Sequence, residues 1–438
     1  MRRRTTTFIL AGILLPAAIH HAQQPSGSSS AFAIEHVTVI NVETGARSAD
    51  QTVVVSGERI TEAGPAANVK TPVGARIVDG RGKFLIPGIW DMHVHALRSL
   101  HRVLPLAVAN GITGIRDMGA TLAEVPEARQ ARQNGLVSPR LILAGEGLDG
   151  VESSDRGLPP HPIVRTPAEG RAIVQRLAAG KVDFIKVHNG LARDTYYAVV
   201  DEAKRHGLPF DGHLPPEVNI IEASDAGQRS IEHMNGLQAL CVADPAALQR
   251  RAPDAPPNTQ PIAINQAKCD ETIRHLARNG TWLAPTVGAP GGGDSRMRQF
   301  TLKLIQLAAK GGVRLLAGTD WPGPGFALGN YARTDSGNVM DELAGLVEAG
   351  LTPAEALRTA TSNPAILLKM TDQLGSVERG KLADLLLLEA DPLLNIANTK
   401  RIAAVVVNGR LIDGAQRKKL LDDEQAARQN EKRSTRGG

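Results

Sequence analysis

Two histidines one residue apart, His93 and His95, close an apolar run that begins at Phe84. On a β-strand, residues i and i+2 point to the same side, so this pair would present two imidazoles from one strand end to a single metal ion. Two ordinary loop histidines would look the same in isolation, and the rest of the chain has to discriminate. Ligand-type residues also end later apolar runs. Lys186 and His188 follow Phe184-Ile185, His213 follows Asp211-Gly212, His233 follows Ile231-Glu232, and Asp320 follows Gly318-Thr319. A polar side chain is costly to bury at such a place unless something compensates it, which makes the recurrence informative.

Four imidazoles and a carboxylate suit Zn²⁺ and, with some tolerance, Mn²⁺, Co²⁺ or Fe²⁺. A protonated lysine has no lone pair, but desolvation beside cations favours the neutral amine. Neutral Lys186 could add CO₂ and become a carbamate whose two oxygens bridge two metals; a lysine paired with a nearby carboxylate is the alternative. Asp320 reads as both ligand and base, because water on a metal is acidified and a touching carboxylate can pass its proton to a leaving amine. Asp is also a favoured helix N-cap, yet Trp321-Pro322-Gly323-Pro324 makes a poor helix start and a better loop over a site. His188 shares the Lys186 face, either supporting ligands or substrate or lying solvated in a loop. His161, in the Pro-rich stretch after the third strand, sits where a lid could form. Arg156 and Arg165, in the same loop, would suit a substrate carboxylate or are plain surface charges.

The elements that must position these residues follow from pattern. The 438 residues exceed one compact core, so a large domain plus a smaller one is expected. With 42% hydrophobic and 22% charged residues the composition is globular, without a fixed-period repeat. β-Branched runs at 34–42, 51–60 and 76–86 are divided by turn dipeptides, and matching runs at 384–388 and 402–411 include the hairpin signal Asn408-Gly409. These predict a small β-domain assembled from 33–86 and 376–415. Between them, 87–375 alternates strands with amphipathic helices such as 195–205 and 339–349, the mark of βα units. Eight strands are predicted, at 86–95, 114–117, 140–144, 184–188, 209–213, 230–233, 282–286 and 314–319. Eight closes a barrel, and barrel active sites are built at the C-terminal strand ends, where every candidate ligand falls. One of Tyr196 and Tyr197 is expected in the core. Residues 416–438 read as a charged tail, a frayed helix and disorder from 422 onward.

Three of the formal +5 charges are Arg2, Arg3 and Arg4. They precede an apolar stretch at 8–19 interrupted by Pro16, so 1–22 reads as a cleaved secretory signal and the mature protein as periplasmic or secreted, without a membrane anchor. Nothing argues for a nucleic-acid partner; a homo-oligomer is compatible with the chain but not dictated by it. The two cysteines, Cys241 and Cys269, could pair in an oxidising compartment, which sequence alone leaves open.

Taken together, the ordered motifs resemble the amidohydrolase superfamily of metal-dependent hydrolases. The carrying residues are Pro87-Gly88, Asp91-Met92-His93-Val94-His95, Lys186, Gly212-His213-Leu214, Glu232-His233 and Gly318-Thr319-Asp320. A C-terminal block adds Gly350-Leu351-Thr352-Pro353, Asn363-Pro364-Ala365 and Gly380-Lys381-Leu382-Ala383-Asp384. The resemblance implies an α/β fold, a (β/α)₈ TIM barrel with a small composite β-sandwich domain from both chain ends. It also implies two divalent metals: His93, His95 and Asp320 on the first, His213 and His233 on the second, and carboxylated Lys186 as the bridge. The chain looks most like the imidazolonepropionase-related branch that includes Xaa-Pro dipeptidases and ochratoxin-type amidases. True imidazolonepropionases are mononuclear cytoplasmic enzymes without the bridging lysine, and Lys186 and the leader depart from them. The expected activity is hydrolysis of a small-molecule amide, a dipeptide or N-acyl amino acid, by metal-bound hydroxide. The rival readings are a cyclic-amide, lactone or ester hydrolase on the same residues, and a non-enzymatic binding protein.

Overall fold

The structure, a computed structural model, describes residues 31–150, 161–249, 260–288, 295–321 and 338–434. The leader (1–22) and Arg156 lie outside these residues.

Five strands open the chain: β1 (Phe32–Ile40), β2 (Arg47–Ser56), β3 (Arg59–Pro65), β4 (Arg76–Asp79) and β5 (Phe84–Pro87). The next eight belong to the barrel: β6 (Ile89–Val94), β7 (Ile112–Asp117), β8 (Arg140–Leu143), β9 (Gly147–Leu148), β10 (Ile185–Val187), β11 (Phe210–Gly212), β12 (Ser230–Glu232) and β13 (Trp282–Ala284). Three more, β14 (Leu385–Leu388), β15 (Ile402–Val407) and β16 (Arg410–Ile412), return to the first group, giving one sheet of order β16-β15-β14-β5-β1-β2-β3 with β4 also on β1. Val53, Val55, Leu85, Leu385, Leu387 and Val406 form its buried core. The β15–β16 turn is Asn408-Gly409, both at positive φ (50° and 72°), as a two-residue type I′ hairpin requires.

The barrel is written in two parallel ribbons, β6-β7-β8 and β13-β12-β11-β10-β9. β8 and β9 together fill the third strand position, broken where Gly145 adopts φ 66°. The predicted eighth strand is extended chain rather than a regular strand: Leu315 bridges Leu283 of β13, and Trp321 bridges Val94 of β6. The Met92 N–H donates to Ala317 O at 2.8 Å, so segment 314–321 fills the gap between the ribbons. The fold is a (β/α)₈ barrel with a composite β-domain.

The helices are α1 (Leu100–Ala109), α2 (Glu124–Gln133), α3 (Pro167–Ala179), α4 (Arg193–Arg205), α5 (Ile220–Asp225), α6 (Asn235–Cys241), α7 (Gln266–Asn279), α8 (Ser295–Lys310), α9 (Val339–Glu348), α10 (Pro353–Thr359), α11 (Ser362–Leu367) and α12 (Gly414–Ser434). α4 shows why such segments are helical: Tyr196, Val199, Val200 and Ala203 recur at helical spacing and are buried. The Tyr196 hydroxyl donates to Gln228 Oε1 at 2.8 Å, which makes it the core tyrosine. Asn338 with Asp341 and Thr352 with Glu355 form capping boxes that start α9 and α10.

The tail differs from expectation. α12 continues to Ser434, and Glu424 pairs with Arg102 of α1 at 2.8 Å while Leu420 and Leu421 pack on the core. The expectation missed it because the docking face is thin and dominated by charge. Lys418–Asp422 and Lys419–Asp423 pairs support the exposed side.

Candidate metal centre

β6 ends at the mouth of the barrel and delivers both histidines of the first motif. His93 Nδ1 lies 2.7 Å from Glu232 Oε2, which leaves Nε2 facing Asp320 Oδ1 at 3.2 Å. His95 Nε2 is 3.4 Å from the same oxygen. His213 and His233 approach through their Nε2 atoms at 3.1 Å, and His233 Nδ1 is 2.7 Å from Thr286 Oγ1. Two ligand sets result, His93-His95-Asp320 and His93-His213-His233, each with donor atoms within 4.8 Å of one another. Donors about 2.0–2.1 Å from one tetrahedral Zn²⁺ lie about 3.3 Å apart, so the 3.2 and 3.4 Å separations suit a shared ion. His93 Nε2 and Lys186 Nζ are buried without a hydrogen bond. That deficit is expensive for a finished protein core, and a divalent metal would relieve it.

Lys186 occupies the middle of β10, paired with Gly147 of β9 and Asp211 of β11. Burial lowers its pKa from 10.5 to about 8, against the opposing pull of Glu232 and Asp320. At pH 7 about a tenth of it is therefore the neutral, nucleophilic amine, far more than for a free lysine.

The floor of the site is a buried ion network. Arg116, from β7, donates to Met92 O (2.7 Å), Asp211 Oδ2 (3.0 Å), Ser230 Oγ (2.8 Å) and Glu232 Oε1 (2.8 Å). Burial would raise the Glu232 pKa, but Arg116 and His93 outweigh it and hold the carboxyl well below its usual range. Ionised Glu232 can thus accept a hydrogen bond from the His93 Nδ1–H and keep Nε2 free for a metal. Asp91 accepts from the His93 and Thr319 N–H groups (3.2 and 3.1 Å), tying the first and eighth strand ends together. His233, Thr286 and Asp320 all have positive φ, at 62°, 52° and 59°. For a β-branched threonine this is a true outlier, and such backbone strain gathers where side chains must be aimed.

The other sequence candidates separate. His188 is buried with Nδ1 3.0 Å from Asp149 Oδ2, and its ring centroid is 4.3 Å from that of His213. His161 lies against His188, centroids 5.5 Å apart, and burial first, then His188 and His95, lower its pKa to about 3. A Cβ on Gly147 would sit 2.9 Å from His161 Nδ1 and 3.3 Å from Lys186 Cγ, so the glycine is what admits both side chains. Arg165 is not among the residues lining the cleft. It stands exposed just before the Thr166 cap of α3, its backbone N–H on the Glu169 carboxylate at 2.7 Å. A cleft of about 570 Å³ leads to the centre, lined by His95, His188, His213, His233 and Asp320 at its base. Sequence reasoning assigned no role to Glu232, Arg116, Asp149 or Thr286. An arginine inside the apolar run Ile112–Asp117 was the one signal that could have been followed.

Residues 84–412 match the model of the amidohydrolase family. The chain belongs to that family. Among curated relatives, this amidohydrolase is 24% identical to an adenine deaminase of Rubrobacter xylanophilus over 86% of the chain, but spans only 57% of that protein's length. It is 26% identical to an imidazolonepropionase of Sphingopyxis alaskensis (77% of this chain, 85% of the relative). It is 25% identical to an ochratoxinase of Aspergillus niger (75% and 76%). A prolidase crystallised with N-methylphosphonate-L-proline superposes with TM-score 0.67 at 22% identity, covering 88% of this chain and 100% of the other. At that identity the likeness speaks for the shared fold.

Proposed function

We propose that this amidohydrolase uses two divalent metals, with Zn²⁺ the best fit to the donors, to hydrolyse an amide bond in dipeptides or N-acyl amino acids. The observation that carries the reading is the junction at Asp320. Its Oδ1 faces His93 and His95, and its Oδ2 lies 3.9 Å from His233 Nε2, so one carboxylate stands between the two groups of histidines. His93, His95 and Asp320 would hold the first ion and His213 and His233 the second, with Lys186, as its carbamate, between them. Metals there would acidify water and polarise the scissile carbonyl. Asp320 accepts the proton of the attacking water and delivers it to the leaving amine. Arg116 and Glu232 hold the His93 tautomer, and Thr286 that of His233.

Relatives named as an ochratoxinase and a prolidase support amide chemistry. Export to the periplasm or beyond is part of the proposal; it is supported by the Arg2–Arg4 leader pattern and by the Cys241–Cys269 disulfide, which suits an oxidising compartment. The test is amino-acid release by metal-loaded mature protein from dipeptides and N-acyl amino acids, including Xaa-Pro and N-aroyl-Phe compounds, with a chelator control. Chelator-sensitive release is expected. No release by protein carrying two metals would move the reading to cyclic amides, lactones or esters.

A further inference from the structure

One wall of the cleft differs in chemistry from its base. Leu214, Val218 and Ile220, after β11, and Ala239 and Leu240 of α6 form this wall, with Leu214 and Ile220 packed directly against Gly236 of that helix. Among the described residues no Lys or Arg lines the cleft, and its carboxylates are accounted for: Glu232 is held by Arg116 and His93, and Asp320 belongs to the candidate ligand set. A charged substituent packed against this wall would lose water without gaining a partner among the described residues, whereas an apolar one would gain from burial.

α6 is an unusual choice for a wall. It has seven residues, contains Gly236 and lacks a side-chain N-cap, so it has little intrinsic helical stability. Its position is imposed from behind. Asn235, Gly236, Ala239 and Leu240 face the cleft, while Leu237 and Cys241 turn inward and Cys241 is disulfide-bonded to Cys269 of α7. The Asn265 N–H donates to Cys241 O at 2.8 Å, and Gln238 Nε2 donates to Thr301 Oγ1 of α8 at 2.7 Å.

We propose that this aliphatic wall is the subsite for an uncharged aliphatic or aromatic substituent of the amide substrate, and that the Cys241–Cys269 disulfide sets the position of its α6 part. The substrate class rests on the amide-hydrolase reading above; the wall's apolar preference does not.

The decisive experiment compares kcat/KM for substrates carrying Gly, Leu, Phe, Lys or Glu side chains, varied in turn on each side of the scissile bond. On one side, Leu and Phe should exceed Gly by about thirtyfold and Lys and Glu should fall below Gly. Ala239→Trp should cut the Leu-to-Gly ratio at least about tenfold, and a C241S/C269S double variant should lower it about threefold by loosening α6. In parallel, calorimetry with n-alkyl carboxylates from acetate to hexanoate, on metal-loaded protein, should show affinity rising about threefold per methylene, flattened by Ala239→Trp. If no amide is cleaved but the alkyl series still climbs, the hydrolysis reading fails and the subsite stands. Equal acceptance of Lys and Leu, an alkyl series without slope, or ratios unmoved in both variants would overturn the subsite. A ratio moved by Ala239→Trp but not by loss of the disulfide would remove the disulfide from the account.

Discussion

Replacing Glu342 with Gln should make the protein more resistant to alkaline conditions. Glu342 sits in the first turn of α9, 1% exposed, and its Oε2 accepts the Gly288 N–H at 2.5 Å, pinning the loop that carries Thr286. Burial, reinforced by Asp91 and opposed by the Gly288 N–H, raises its pKa from 4.5 to about 8. Across that interval the folded protein holds a proton that the unfolded chain has released. Stability therefore falls as pH rises from 4.5 towards 8 and levels off above it. The full difference is worth at most roughly 5 kcal/mol, and relaxation of the loop around the ionised group reduces the expected effect to about 2 kcal/mol. Gln keeps the acceptor for Gly288 and removes the charge. Urea unfolding followed by tryptophan fluorescence at pH 5 and pH 9, with and without metal, should show E342Q gaining about 2 kcal/mol over the parent between the two conditions. A variant-minus-parent difference that is the same at both pH values would refute the assignment of that buried charge.

Other perturbations address the centre and its floor. Asp320→Asn should reduce kcat by about 10³-fold while largely sparing metal content, read by steady-state kinetics beside elemental analysis. Lys186→Met should lower bound metal from about two ions per chain to about one, since no bridging oxygens remain; retention of both would remove the lysine from the bridging role. Arg116→Met leaves Asp211 without one buried partner and Glu232 with only His93 and Ser230, so it should cost about 3–5 kcal/mol in denaturant unfolding. The double variant Arg116→Met/Glu232→Gln should recover part of that loss.

The clustering of His93, His95, His213, His233 and Asp320 was legible because each ends an apolar run, where a polar residue has few structural excuses. Its support was not, because the partners are remote in sequence: Arg116 reaches Glu232 across 116 positions and Asp91 reaches Thr319 across 228. A lone arginine in a strand reveals a burden but not who shares it. Arg165, read either as a carboxylate partner or as a surface charge, stands exposed outside the cleft lining, since a cation in a loop near a site carries no direction until the backbone turns. The eighth barrel strand was placed correctly in order, yet its ladder is too irregular to read as a strand because only isolated bridges join it to its neighbours. α12 was underread, since a helix docked by a few leucines and one ion pair leaves little periodic trace.

The composite sheet has a consequence for the order in which the protein can be made. Leu386 of β14 pairs with Ile86 of β5, about 300 residues earlier. At ribosomal rates of roughly 5–20 residues per second, β5 waits on the order of 15–60 s for its partner. Throughout that time Phe84–Pro87, which runs directly into the strand bearing His93, has one open edge capable of pairing with another nascent chain. Truncation before Leu385 would therefore leave β5, which leads directly into the first barrel strand, without its outer neighbour. Such products should collect in aggregates or on chaperones rather than as a smaller, independent barrel.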